Sequence, residues 1–106
     1  MTSQPTEKRK SQSKARFQLV EVAWVHRDGT RTKENGVTEV VSAHGAVLRI
    51  KTRPAMSVEI ELTNTHTGKT TKARIEGVRP SVGGQRRLAV ELVEPSYVFW
   101  GLKRRT

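Results

Sequence analysis

Val37-Thr38-Glu39-Val40-Val41-Ser42-Ala43-His44-Gly45-Ala46-Val47-Leu48-Arg49-Ile50 is the stretch that decides how this chain folds. Two short apolar runs are interrupted by Ser42-Ala43-His44-Gly45, so residues 37–41 and 46–50 read as two strands joined by a tight turn. Gly45 is expected to take the positive φ of that turn. Toward the N-terminus, residues 17–26 are rich in β-branched and aromatic side chains, and Val20, Val22 and Trp24 share one face at period two. Asp28-Gly29 marks a turn, residues 30–35 are polar with strand-like threonines, and Gly36 reads as a second break. Toward the C-terminus, Pro54 marks a loop and residues 57–62 alternate cleanly. Residues 64–69 form a hairpin loop whose partner, residues 70–78, sets Thr71, Ala73 and Ile75 against Lys72, Arg74 and Glu76. Pro80 and Gly83-Gly84 turn the chain again, residues 86–93 form the last strand, and a short aromatic tail follows Pro95.

Six or seven short strands with Gly and Pro punctuation, and no amphipathic stretch long enough for a helix, predict an all-β fold: a small six- to seven-stranded antiparallel barrel. With 106 residues, 34% of them hydrophobic, the chain fits one small core. The composition changes at Phe17, which divides the chain into a flexible basic arm (1–16), a barrel domain (17–102) and a basic tail (103–106). Trp24 and Trp100 are expected in the core.

The net charge of +10 is concentrated at the ends. Lys8, Arg9, Lys10, Lys14 and Arg16 against Glu7 give the arm +4, and Lys103, Arg104 and Arg105 give the tail +3, leaving +3 for the body. That pattern favours an anionic partner. The absence of cysteine excludes a disulfide scaffold, a thiol nucleophile and thiolate metal sites, and makes the cytoplasm the default compartment. No run approaches the ~20 apolar residues of a membrane-spanning helix, and the first residues lack the apolar run of a secretory signal. No membrane insertion is expected.

Catalytic and metal chemistry find little support. His26, His44 and His66 lie in separate segments without metal-ligand spacing. Ser42, His44 and Asp28 can be combined as a triad only on paper. Glu59 and Glu61 read as an ion-pair ladder with neighbouring cations. Phosphate-binding glycine loops are absent. Neither an enzyme nor a cofactor is expected. Anion recognition remains, because arginine presents a planar fork of donors that fits phosphate and stacks on purines.

The order of these features resembles the PilZ domain, a six-stranded barrel implicated in binding the bacterial second messenger cyclic di-GMP, over about residues 8–102. Residues 37–48 look like the family's "(D/N)-x-S-x-x-G" turn and the strand after it. Leu88-Ala89-Val90-Glu91-Leu92 with Phe99-Trp100 looks like its closing strand and tail. The resemblance implies a cytoplasmic receptor that clamps cyclic di-GMP between an R-x-x-x-R arm and that turn. Arg16 matches the second arginine, and Ser42 and Gly45 match the serine and glycine. Gln12 stands at the first arginine and Val40 at the Asp/Asn position. Lys10 and Lys14 keep the four-residue offset of the arm motif, with Arg9 adjacent, so Arg9, Lys10, Lys14, Arg16, Ser42 and Gly45 form the implied ligand set. The arm is expected to be mobile over residues 8–16 until ligand orders it. Two other readings stay open: a degenerate PilZ domain that binds no nucleotide and docks an as yet unidentified protein partner, and a nucleic-acid-binding barrel, which the lack of a row of exposed aromatics disfavours.

Overall fold

The structure, a computed structural model, describes residues 13–52, 54 and 59–102. Seven strands run in chain order: β1 (Lys14–Ala15), β2 (Leu19–Val25), β3 (Arg31–Ser42), β4 (Gly45–Ile50), β5 (Glu59–Asn64), β6 (Thr70–Val82) and β7 (Gln85–Leu92). The order β3-β2-β5-β6-β7-β4 closes through a β3–β4 pairing into a six-stranded barrel, antiparallel throughout. Closure gives every barrel strand two neighbours and so removes free edges. β1 is the extra strand and lies along the far half of β3. Among the described residues there is no helix, hence none long and apolar enough to cross a membrane.

Alternation builds the core. Val20, Val22 and Trp24 of β2, Ile60 and Leu62 of β5, and Ala73 and Ile75 of β6 all point inward and are at most 5% exposed. The aromatic tail closes one end, where Phe99 and Trp100 are both buried and pack edge to face at 4.7 Å. Asn64, also buried, holds this plug by donating from Nδ2 to the Phe99 carbonyl at 2.7 Å. The Trp100 carbonyl accepts from Arg16 Nη1 (2.9 Å) and Gln18 Nε2 (3.0 Å).

Four expectations need correction. Gly36 does not break the strand. It lies buried within β3 because a Cβ there would come 2.6 Å from Ile50 Cγ2 and 2.9 Å from the Arg49 carbonyl oxygen. Gly45 is not among the positive-φ glycines. It begins β4, and glycine is required because a Cβ would fall on the Val90 carbonyl oxygen of neighbouring β7. Pro80 lies inside β6, at an irregularity of the β6–β7 ladder, where it leaves the strand unbroken. The turn itself is Gly83-Gly84, with φ of 58° and 77°, the two positive values that a two-residue hairpin loop asks for. Finally, residues 14–16 are already engaged: Lys14 and Ala15 pair with Val41 and Val40, and the Arg16 amide donates to the Glu39 carbonyl.

Two bulges shape the outer wall. In β3 the register against β4 slips between Thr38 and Val40, so Thr38 and Val41 are both buried although three positions apart. Glu39 and Val40, which strict alternation assigns to opposite faces, therefore both lie outside the core. In β6 a slip between Ile75 and Gly77 does the same. Strict alternation from Ala73 and Ile75 would aim Arg79 inward; the extra residue, Glu76, turns it out.

Candidate functional site

The outer wall formed by β6, β7, β4 and the end of β3 carries a shallow cleft of about 250 Å³. Its floor is small and apolar, with Gly45, Val47 and Ala89 among its residues, and its walls include Ser13, Ser42, His44, Glu76, Arg79 and Glu91. The floor follows from register, since Val47 pairs with Ala89 and Gly45 with Glu91 across β4 and β7. β1 brings Ser13 to the rim by pairing with residues 40 and 41.

The turn beside the cleft is rigidly held. Ser42 Oγ accepts from the His44 amide at 3.1 Å. The Ala43 and His44 carbonyls accept from the Ser96 and Leu92 amides at 2.7 and 2.8 Å. Ser42 thereby gains a local hydrogen bond that fixes the turn, and keeps its second lone pair and its proton for another partner.

The implied ligand residues are distributed unevenly. Ser42 and Gly45 line the cleft, and Lys14 lies next to Ser13 in the exposed β1. Arg16 is not among the lining residues, since its guanidinium binds the Trp100 carbonyl. Arg9 and Lys10 lie outside the described residues. The paper triad does not assemble. Asp28 and Ser42 flank opposite ends of the 12-residue β3, about 40 Å of strand, and Asp28 Oδ1 accepts from Thr30, which lowers its pKa. Among the described residues no three His, Asp or Glu side chains gather as a metal ion would need. Glu61 is ion-paired with Arg31 at 2.8 Å.

Sequence reasoning missed the charged row that bounds the cleft. Arg79, Arg87 and Arg49 are register partners across β6, β7 and β4, so three arginines stand side by side on the wall. Directly opposed like charges repel. Glu39, turned outward by its bulge, bridges two of them: Oε2 accepts from Arg49 Nε (2.6 Å) and Arg87 Nε (2.8 Å), and Oε1 from Arg87 Nη2 (2.8 Å). Hydrogen bonds from Arg87 first, then Arg49, hold the Glu39 carboxyl down at about 2, and the same bonds raise the Arg87 pKa. No hydrogen bond or ion pair joins the Arg79 side chain to another described residue. One carboxylate among three guanidiniums leaves the row with a charge of +2. Compared with known proteins, the chain matches no family model, no curated protein and no solved structure.

Proposed function

We propose that this protein is a cytoplasmic PilZ-type signalling domain that binds cyclic di-GMP at the cleft beside residues 42–45 and passes the signal to a protein partner, without performing chemistry of its own. The observation that carries this reading is the β1–β3 pairing, which brings Ser13, at the end of the basic arm, to the same cleft as Ser42 and Gly45, with Lys14 next to it in the chain. A ligand seated there meets small side chains at Gly45, Val47 and Ala89 for a purine face, the hydroxyls of Ser13 and Ser42, and the Arg79 guanidinium on a wall that also carries Glu76 and Glu91. The cleft is small and open, so it accommodates part of a dinucleotide.

Calorimetric titration with cyclic di-GMP at about 0.15 M salt, where exposed charges are screened beyond ~8 Å, tests the reading. Saturable binding of the cyclic form over the linear dinucleotide supports it. No heat and no thermal shift refutes it. The second reading, an adaptor without nucleotide, draws on one observation: Arg16, Ser42 and Gly45 each already have an internal structural use.

A further inference from the structure

We propose that the phosphate contact of this cleft is made by Arg79, the end member of the arginine row on β6, β7 and β4, and not by Arg16. The inference rests on the cyclic di-GMP reading and identifies which of its cations touches the ligand.

Geometry separates the two arginines. Arg16 donates to the Trp100 carbonyl at 2.9 Å and reaches Gly101 at the plug, so turning toward the cleft would break a partly buried hydrogen bond. Arg79 is exposed, lines the cleft, and its guanidinium has no ion-pair or hydrogen-bond partner among the described residues. Its neighbour Arg87 is bound by Glu39 through two guanidinium nitrogens, and Arg49 through one. The row carries its excess positive charge toward the cleft, where Arg79 is the lining guanidinium alongside the carboxylates of Glu76 and Glu91, and an anion bound at Arg79 relieves the repulsion between Arg79 and Arg87.

The cleft's lining carboxylates lie away from Arg79 on the sheet: Glu91 on β7, whose register partner on β6 is Arg74, and Glu76 at the β6 bulge. Along β7 the outward positions run Arg87, Ala89, Glu91, which sets an acidic end about 13 Å from the cationic one across the small Ala89. A carboxylate accepts hydrogen bonds and offers none, so Glu91 suits the N–H edge of a guanine and opposes the ring-nitrogen acceptor of an adenine. The charge gradient therefore orients a guanine nucleotide with phosphate at Arg79 and base edge toward Glu91.

Titrations of the full chain with cyclic di-GMP and cyclic di-AMP, using wild type, Arg79→Ala, Arg79→Lys, Arg16→Ala and Arg27→Ala, test this assignment. Arg27 is an exposed arginine in the β2–β3 turn, away from the cleft, and controls for the loss of one positive charge. Arg79→Ala should weaken cyclic di-GMP binding by roughly ten- to hundred-fold with an unchanged melting temperature. Arg79→Lys should fall between it and wild type, because lysine keeps the charge without the fork. Arg27→Ala should bind as wild type, and cyclic di-AMP should bind more weakly than cyclic di-GMP. Wild-type affinity in Arg79→Ala, a larger loss in Arg16→Ala, or equal binding of the two dinucleotides overturns the assignment while leaving the cyclic di-GMP reading intact. No binding by wild type overturns both.

Discussion

Replacing Glu39 by glutamine removes the one negative charge from the arginine row and keeps the side chain's shape. A carboxyl held at about 2 instead of the ordinary 4.5 corresponds to at most ~3 kcal/mol of stabilisation by its partners. Both arginines remain in contact with water, with side chains 33% and 24% exposed, so screening reduces this to ~1–2 kcal/mol. Because the folded-state pKa is depressed, the contribution is complete above the unfolded value of about 4.5 and disappears as pH falls through about 2. Urea denaturation of wild type and Glu39→Gln at pH 7, 4 and 2.5 reads the effect directly. At pH 7 the variant should lose ~1–2 kcal/mol, equivalent to a melting temperature lower by about 5–15 °C for a domain of this size. The gap should shrink steadily toward pH 2.5 as the carboxylate of the unfolded chain takes up its proton while that of the folded protein still resists it. A gap of the same size at pH 7 and pH 2.5 would refute the electrostatic account and leave packing as the cause.

Three further outcomes follow from the same geometry. Thr38→Val preserves shape but deletes a buried hydroxyl that accepts from the Gln18 amide and donates to the Arg16 carbonyl; it should cost about 2–3 kcal/mol in denaturant unfolding and speed hydrogen exchange at Gln18. Asn64→Ala releases the Phe99 carbonyl and the His66 amide, so it should cost about 2–4 kcal/mol and raise the fluorescence quenching of Trp100 by acrylamide. Gly45→Ala drives a methyl group onto the Val90 carbonyl and should destabilise the barrel by about 2–4 kcal/mol by urea titration even without ligand, so loss of binding in that variant reports folding and says nothing about ligand contact.

Alternation is a local property, set by two residues per repeat of extended backbone, and the strand segments of the barrel were legible from it and from apolar runs, except that β3 was read as interrupted at Gly36 and β6 as ending before Pro80. Val20, Val22 and Trp24 faced inward as their spacing required, and so did Ala73 and Ile75. The Gly83-Gly84 hairpin was legible because its glycines carry their positive-φ preference with them, whereas the turn at residues 42–45 was legible in position only, Gly45 serving a close approach and not a positive φ. The resemblance of residues 37–48 to a known motif also singled out Ser42 and Gly45, which the fold places on the cleft.

The charged half of the site was decided elsewhere. Counting back from Gly83-Gly84 without a bulge opposes Arg79 to Leu88, and only the irregularity between Arg79 and Val82, at Pro80, brings it level with Arg87. Glu39 reaches Arg49 and Arg87 for a similar reason, one extra residue in β3. A bulge is chosen by the closure of the whole barrel, which must reconcile six strands of unequal length and twist, and no single strand contains that information. The role of Gly45 is tertiary too, since the atom that excludes a Cβ belongs to β7. By itself the sequence determined that the chain is all-β, where the apolar faces of its strands lie and that its positive charge is concentrated at its ends. Tertiary structure decided which arginines meet, which are bound internally and which one faces the cleft, because side chains distant in sequence become neighbours only through the register of a closed sheet.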